Sequence, residues 1–363
     1  MKFTTDRREL TDSITRAVQG LPARPVVPIL AGMLITAEDD SISLTCSDGD
    51  VTFRATLTGS VEEAGSAVLP GRLLSDISRL WAKGDTIGVS QDGKLVTVQA
   101  GSSRYEVTAI DGEYPLSGIQ AEPLGTTSGD DLKDAILKVA PVAADRNVNP
   151  VFATVRLELN GDILSVVATS GYALAHMPVA MDLLVTQHLA SADRVASEQG
   201  VLIPAGVAER FARHASGYAE VGWDSRVITL VTTGLTVTSR TISGRYPAWN
   251  MILKHEEPWT TLDTAELVRA LKVAQLVSDT DRATLDFSGN DLWVRSSGNG
   301  ECTEYVETTY EGDPVSFSFG ASLLLSGLSG CGDVTRLGFT APPRPVLVNS
   351  GGYRFMIQPR KDL

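Results

Sequence analysis

The stretch TTLDTAELVRALKVA, at residues 260–274, decides the fold because the chain contains two earlier versions of it. These are FTTDRRELTDSITRAV at 3–18 and TTSGDDLKDAILKVA at 126–140. Each version opens with a short strand-like run and continues with apolar residues at helical spacing. The sequence therefore predicts three copies of one unit, each beginning with a strand and an amphipathic helix.

The copies are separated by 122 and 135 residues, measured between Leu10, Leu132 and Leu267. Such a period is too long for a solenoid and predicts that each copy is a whole domain. Strand pairs, a second helix and further strands follow in each copy, and Tyr114-Pro115 and Tyr246-Pro247 close the first two. Two helices packed on antiparallel sheets make an α+β domain. We expect three tandem domains, at 1–122, 123–253 and 254–363.

Composition excludes several classes of protein. The 363 residues are 43% hydrophobic, 21% charged and 6% aromatic, as in a compact globular protein rather than a disordered or coiled-coil chain. No apolar run has the length of a membrane helix, and three scattered cysteines cannot build a disulfide framework. These features favour a cytoplasmic protein with reduced thiols. The net charge of −13 allows nucleic-acid binding only through a local basic surface.

Motifs for catalysis are absent from the sequence. The four histidines are isolated and have no metal-ligand spacing, and no glycine-rich phosphate loop follows a strand. Cys46 or Cys302 could in principle be a nucleophile, but nothing in the sequence positions a base beside either one. We therefore expect a protein that is not an enzyme and that has no metal and no cofactor.

The repeats, together with Leu-Pro-Ala-Arg-Pro-Val-Val-Pro-Ile-Leu (21–30), Ala168-Thr169-Ser170-Gly171 and Gly244-Arg245-Tyr246-Pro247, resemble bacterial DNA sliding clamps. This family is the β processivity subunit of DNA polymerase III. The resemblance spans essentially the whole chain. It implies a ring-shaped homodimer of two three-domain chains that encircles duplex DNA and tethers the replicative polymerase.

The resemblance also implies that basic helix surfaces contact DNA phosphates without reading the base sequence. The ordinary alternative for each residue is a solvated helix face. The candidates are Arg24, Arg72, Arg79, Lys133, Lys138, Arg210, Arg213, Arg269 and Lys272.

The family has a hydrophobic pocket between the second and third domains. It accepts short linear motifs of the DNA polymerase III alpha subunit, the clamp loader, other polymerases and repair proteins. By resemblance, the pocket here comprises Phe152, Thr169, Gly171, Tyr172, Ala173, Leu174, Pro247, Ile252, Pro345, Met356 and Gln358. Alanine stands at 173, where the family usually has arginine. Gly320 and Leu323 also depart from the family pattern, which motivates an alternative function.

The ring interface implied by the resemblance joins the helix around Arg72–Leu80 and the strand Ser103–Val107 to the third domain of the second copy. We expect an apolar centre and a charged rim, with Arg104 facing Glu301 or Glu304. The interface residues are Ile77, Leu80, Arg104, Leu276, Val277, Glu301 and Glu304.

Two alternatives remain at this point. One is a specialised clamp paralogue whose altered pocket confers resistance to a clamp-directed inhibitor, which would connect the protein to antibiotic resistance. The other is an enzyme using the cleft between the second and third domains, for which the sequence offers no catalytic constellation.

Overall fold

The structure is a computed structural model. It describes residues 1–81, 84, 86–116, 118–145, 147–184, 200–253, 259–340 and 342–360. Within these ranges the chain forms helices and antiparallel strands in a repeating order. The α-helices are α1 Arg7–Ala17, α2 Gly71–Ser78, α3 Gly129–Val139, α4 Ala205–Ala212, α5 Trp249–Ile252, α6 Thr264–Val277 and α7 Ala321–Leu328.

The strands are short and mostly joined by tight turns. They are β1 Lys2–Asp6, β2 Gly32–Glu38, β3 Ser41–Ser47, β4 Val51–Thr58, β5 Ser60–Glu63, β6 Gly65–Pro70, β7 Thr86–Asp92, β8 Leu95–Ala100, β9 Ser103–Thr108, β10 Gly125–Ser128, β11 Thr154–Asn160, β12 Ile163–Thr169, β13 Ala173–Ala180, β14 Asp182–Leu183, β15 Val201–Pro204, β16 Tyr218–Trp223, β17 Val227–Thr232, β18 Leu235–Arg240, β19 Trp259–Asp263, β20 Arg282–Ser288, β21 Asp291–Ser297, β22 Glu301–Glu307, β23 Val315–Gly320, β24 Val334–Gly338, β25 Val346–Ser350 and β26 Tyr353–Ile357.

In the first and third repeats, the first helix begins at an aspartate that caps it. The Asp6 side chain accepts hydrogen bonds from the backbone N–H groups of Arg8 and Glu9. Asp263 accepts one from the backbone N–H of Glu266 in the same way. A carboxylate at this position satisfies backbone donors that the helix itself leaves without partners. The predicted strand followed by a helix is thus confirmed in all three copies.

Strand order repeats three times in two kinds of half-sheet. The first kind is β4-β3-β2-β6, β13-β12-β11-β15 and β22-β21-β20-β23. The second kind is β9-β8-β7-β1, β18-β17-β16-β10 and β26-β25-β24-β19. The same connectivity in each copy confirms the predicted α+β fold of tandem repeats with helices on antiparallel sheets.

Half-sheets of different copies pair edge to edge. β4 pairs with β18, which gives a nine-stranded sheet, and β13 pairs with β26, which gives an eight-stranded sheet. β9 ends the five-stranded sheet and β22 ends the four-stranded sheet. Among the strands that the structure describes, these two outer strands therefore each have one edge without a neighbouring strand.

The described chain divides into two compact units. The first unit holds the described residues of Met1–Asp130, 182–184 and Arg213–Thr241, and the second holds the remaining described residues. The segment 123–253, predicted as one domain, contributes strands to both units. The proposed boundary near 254 borders residues 254–258, which lie outside the described ranges.

Each unit buries one face of its helices. In the first unit, Leu10 and Ile14 of α1 lie in a core with Phe3 and Leu44. In the second unit, α6 buries Leu267, Ala270, Leu271 and Ala274 at the spacing read from the sequence. Helix α2 ends at Ser78, two residues before the predicted end, because Arg79 forms its C-cap.

Candidate functional site

A tight turn between β12 and β13 brings together several of the predicted pocket residues. The Thr169 hydroxyl donates to the Ala173 carbonyl at 2.6 Å and accepts from the Gly171 N–H at 3.1 Å. Gly171 has a φ of +89°, a conformation that favours glycine. The Phe152 ring lies 3.1 Å from where a Cβ of residue 171 would be, so a larger residue there would also collide with Phe152.

An apolar cluster lies beside this turn. Its buried members are Val167, Leu174, Leu253, Leu347 and Met356. Partly buried hydrophobic side chains that pack against it are Tyr246, Trp249, Ile252 and Trp259. Leu174 and Met356 are direct cross-strand partners where β13 meets β26. The pairing of half-sheets thus brings Leu174 and Met356 together, and Ile252 of α5 packs against the same cluster.

A polar layer covers the same sheet next to the apolar cluster, and the sequence did not predict it. Arg156 and Glu158 form an ion pair at 2.8 Å, and the Trp249 indole N–H donates to Glu158 at 2.9 Å. The Trp249 ring stacks on His176 with centroids 4.7 Å apart, and Arg156 lies 5.5 Å from the Tyr246 ring centroid. In the sequence, Trp249 follows Tyr246-Pro247 by two residues, and this tryptophan was the signal that could have indicated the polar layer.

Burial and, to a lesser extent, the positive charge of Arg354 lower the pKa of His176 to about 4. Glu158 opposes this change without reversing it. The His176 imidazole is therefore neutral at pH 7. Burial also raises the pKa of Tyr246 above its usual range, which keeps the phenol protonated. The polar layer thus contains one ion pair and three neutral rings, those of His176, Tyr246 and Trp249.

The C-terminal strand continues into a segment fixed at several points. The Gln358 N–H donates to the Tyr172 carbonyl at 2.9 Å, and the Gln358 side-chain amide donates to the Pro343 carbonyl. Beyond it, the Arg360 N–H donates to the Ser318 carbonyl at 2.7 Å. The predicted pocket residue Gln358 therefore links the turn after β12 to the loop before β25.

The remaining predicted pocket residues differ in exposure. Tyr172 is 71% exposed, whereas Ala173 is 1% exposed. Pro247 precedes α5, and Pro345 directly precedes β25. Gly320 lies beside the Arg360 guanidinium and Asp281 rather than in the apolar cluster. The substitutions noted in the sequence therefore lie in different surroundings, and Ala173 is not an exposed edge position.

Most of the predicted DNA-contacting residues are accessible on the surface. Arg24, Arg72, Arg79, Arg213, Arg269 and Lys272 are exposed, and Lys133, Lys138 and Arg210 are half-buried. The Arg72 guanidinium is 3.4 Å from the carbonyl oxygens of Pro22 and Ala23, so it lies against the loop that carries Arg24. No described residue forms an ion pair with Arg24 or Arg72.

Other members of that set already have acidic partners. Lys138 pairs with Asp134 at 2.7 Å, and Arg79 lies 4.0 Å from Asp76. Arg210 donates from Nε to the Gly206 carbonyl at 3.1 Å. An amine already in an ion pair gains less from a phosphate than a free one. Within this set, Arg24, Arg72 and Lys272 are exposed and form no ion pair with any described residue, so they are available to a phosphate.

The predicted interface residues lie on the two outer strands and on or just after the helices α2 and α6. Arg104 on β9 pairs with Glu106 at 2.7 Å, and Glu304 on β22 pairs with Arg269 at 2.7 Å. Glu301 on β22 is exposed. Leu80, after α2, is 81% exposed and Leu276, near the end of α6, is 83% exposed, while Ile77 and Val277 are half-buried. Both regions thus combine exposed apolar side chains with charges beside a strand edge.

The described residues offer little for other chemistry. They contain no group of three or more His, Cys, Asp or Glu side chains that could hold a metal ion. His188 and His255 lie outside the described residues. No helix in the described ranges has both the length and the apolar character needed to span a membrane.

Known proteins share this architecture. A family model described as DNA polymerase III beta subunit, N-terminal domain, matches residues 1–117. The beta sliding clamp of Streptomyces coelicolor is 29% identical over 381 residues, covering 99% of both chains. That of Micrococcus luteus is 30% identical over 290 residues, covering 78% of this chain and 90% of the relative. A beta sliding clamp homolog, GriR, from Streptomyces muensis is 28% identical over 338 residues, covering 91% of this chain and 88% of the relative.

Solved clamp structures match over the full length. A sliding clamp of Pseudomonas aeruginosa bound to griselimycin superposes with a TM-score of 0.88 at 21% identity, covering all of both chains. A clamp of Bacillus subtilis gives 0.86 at the same identity and coverage. The fold is that of a processivity clamp, built from tandem α+β repeats. Together with the sequence relatives, this shows that the chain belongs to the bacterial beta sliding clamp family.

Proposed function

We propose that two copies of this chain close into a ring around duplex DNA and tether the replicative polymerase. The observation that carries this proposal is the repeated strand order, in which β4, β13 and β22 are equivalent end strands of the first kind and β18, β26 and β9 are equivalent end strands of the second kind. Within the chain, β4 pairs with β18 and β13 pairs with β26, always a first-kind strand with a second-kind strand. β22 and β9 are the remaining edges of the two kinds, so a second copy can supply the missing partner to each.

The surfaces beside these edges suit such a contact. Leu80 and Leu276 are large apolar side chains left in water in the single chain. Burying them against a second copy would contribute the hydrophobic centre of an interface with a charged rim. Because Glu304 already binds Arg269, we assign Glu301 as the acidic partner of Arg104 across the interface.

DNA would be held by topology and by phosphate contacts. Arg24 and Arg72 provide a local basic surface on a chain of net charge −13. Phosphate contacts do not depend on base sequence, which suits a protein that must slide. The role is that of a non-enzymatic processivity factor acting on cytoplasmic DNA, with no cofactor.

Partners would bind through the apolar cluster around Leu174, Ile252 and Met356. A short peptide can insert large side chains into such a cluster while its backbone uses neighbouring polar groups. The proposed ligands are linear motifs of the polymerase III alpha subunit, the clamp loader, other polymerases and repair proteins.

Loading on closed and cut DNA tests the ring. The protein, its clamp loader and ATP are incubated with nicked circular plasmid, the complex is isolated by gel filtration, and the plasmid is then cut once. We expect retention on the circle and release after cutting. Equal retention on circular and linear DNA would contradict the encircling ring. A protein that sediments as a monomer at micromolar concentration would contradict the dimer.

A second candidate function is discrimination against a clamp-directed inhibitor by a specialised paralogue. It is favoured by the link from Gln358 to Pro343 next to the apolar cluster, and by similarity to GriR. A rigid ligand cannot adjust to a changed pocket as a flexible peptide can, so it loses more affinity. The test measures the affinities of griselimycin and of one clamp-binding peptide for the wild-type protein and for Gln358→Ala. We expect the variant to gain affinity for griselimycin more than for the peptide; unchanged affinities would reject the idea.

A further inference from the structure

The pairing of β4 with β18 has a counterpart in the pairing of β13 with β26. In the first unit, a row across the sheet joins Leu34 to Thr45, Thr45 to Arg54 and Arg54 to Thr236. In the second unit, the equivalent row runs through Arg156, Val167, His176 and Arg354. Because the strand order is the same, each residue of one row corresponds to one of the other.

The next row on the same face of the sheet carries an apolar pair in the second unit and a polar pair in the first. At the apolar cluster of the second unit, Leu174 pairs with Met356. At the corresponding place in the first unit, Thr52 pairs with Thr238. Two large apolar side chains are thus replaced by two hydroxyls, so this surface does not suit an apolar peptide anchor.

The two rows also differ in what covers them. In the second unit, Trp249 and Tyr246 lie over His176 and Arg156. In the first unit, the closure at Tyr114-Pro115 is followed by a segment without an aromatic residue before Pro123. A cavity of about 130 Å³ lies there between the sheet and that segment. Its described lining is Leu34, Thr36, Ser43, Thr45, Thr52, Arg54, Leu116, Gly118, Ile119, Gln120, Thr236 and Thr238.

The lining is rich in hydrogen-bond donors and contains no carboxylate. Six of its side chains are threonine or serine hydroxyls, and Arg54 supplies one permanent positive charge. The Arg54 side chain is exposed, and its guanidinium forms no hydrogen bond or ion pair with any residue that the structure describes. Ser43 and Thr45 are two of the lining residues and are buried, at 6% and 3% exposure. A lining of hydroxyls and one guanidinium suits a ligand that accepts hydrogen bonds.

We propose that this cavity binds a small oxyanion, a carboxylate or a phosphate, between the Arg54 guanidinium and the hydroxyls of the sheet. A planar guanidinium matches both groups through two parallel hydrogen bonds, and hydroxyls satisfy the remaining oxygen atoms. The site lies entirely in the first unit and uses none of the residues assigned to the peptide pocket. It is therefore independent of the proposed ring and of its partners.

Calorimetric titration of the full-length protein tests the site. Inorganic phosphate and acetate are titrated separately in chloride buffer of constant ionic strength. Arg54→Met keeps the aliphatic stem but removes the charge, and Thr45→Val removes one buried hydroxyl at similar volume. Arg226→Met, which removes an exposed arginine of the same unit, is the matched control. We expect binding to weaken roughly tenfold to a hundredfold in Arg54→Met, less in Thr45→Val, and not in Arg226→Met.

Comparison of the phosphate and acetate titrations identifies which kind of oxyanion the site prefers. Tighter binding of inorganic phosphate indicates a phosphorylated ligand, and tighter binding of acetate indicates a carboxylate. Absence of heat with both ions, or equal affinity in wild type and Arg54→Met, would overturn the proposal. Arg54→Met should still load on circular DNA like wild type, so failure of the ring and failure of this site give different results. Thermal unfolding in chloride buffer shows whether each variant is folded.

Discussion

At the scale of single residues, neighbours in sequence can have opposite surroundings. Tyr172 is largely in water, whereas the next residue, Ala173, is almost completely buried. The sequence identified 173 as the position where a family arginine is missing and placed it at the edge of a peptide pocket. Which residue of a turn faces solvent depends on the turn geometry, and composition and spacing do not determine it.

Ala173→Arg should therefore destabilise the fold. The larger side chain has no room at a buried position, and its charge would lose water, so we expect a loss of about 3 kcal/mol in unfolding free energy. The matched control is Tyr172→Arg at the exposed neighbour, with a change within about 0.5 kcal/mol. Urea denaturation of both variants measures this. An Ala173→Arg variant as stable as wild type would mean that its side chain reaches solvent, as the sequence suggested.

Burial of His176 should make stability depend on pH. Its folded pKa of about 4 is below the ordinary value of 6.5, so the unfolded chain binds the proton more readily. The stability is present above pH 6.5 and is lost as the pH falls through 4, by about 2 kcal/mol between pH 8 and pH 5. His176→Phe keeps a ring against Trp249 but cannot titrate.

Urea denaturation of wild type and His176→Phe at pH 8 and pH 5 isolates this contribution. The variant should lose less stability over that interval, whatever its offset at pH 8. An identical loss in both proteins would show that other groups produce the acid sensitivity.

At the scale of helices and strands, the sequence predicted the elements better than their partners. Helical spacing predicted α1 and α6, and tight turns at Asp92-Gly93 and Asn160-Gly161 close the hairpins between β7 and β8 and between β11 and β12. The pairings of β4 with β18 and of β13 with β26 join segments far apart in the chain. The alternation of apolar and polar residues in a strand predicts which face is buried, but it does not predict which other strand pairs with it.

The strand edges give a prediction about charge. Arg104→Glu should weaken the proposed dimer, because Glu301 of the second copy would then face a like charge, and we expect roughly a tenfold rise in the dissociation constant. Adding Glu301→Arg should restore opposite charges and recover most of the affinity. Sedimentation velocity over a dilution series measures both.

Glu304→Arg is the comparison for that experiment. It breaks the ion pair with Arg269 inside one chain, so combining it with Arg104→Glu should not restore the dimer. Recovery with Glu304→Arg but not with Glu301→Arg would reverse the assignment of the acidic partner.

At the scale of the whole molecule, a chain of net charge −13 must bind a polyanion through a few local cations. Arg24→Ala and Arg72→Ala should each weaken retention on DNA of any base sequence. Each lost phosphate contact should reduce the slope of log affinity against log salt by about 0.9. Binding to two duplexes of unrelated sequence at several salt concentrations measures this.

Lys138→Ala provides the control because Lys138 already pairs with Asp134. It should change the slope much less. A strong preference for one duplex, or a larger effect from Lys138 than from Arg72, would contradict phosphate contact through the free arginines. The sequence alone placed these residues in one set, because helix periodicity reports which face is polar but not which charges are already paired.

The unpaired edges of β9 and β22 have a kinetic consequence in the proposed ring. The pairings of β4 with β18 and of β13 with β26 are tethered by the polypeptide, so after a local opening their strands meet again at a high effective concentration. A contact between copies has no polypeptide tether of its own, so while it is open only the other contact, on the far side of the ring, holds the two copies together. An opening should therefore close faster at the pairings within a chain than at the contacts between copies. The time the ring spends on a closed circle would then be set by the escape rate at the two contacts between copies.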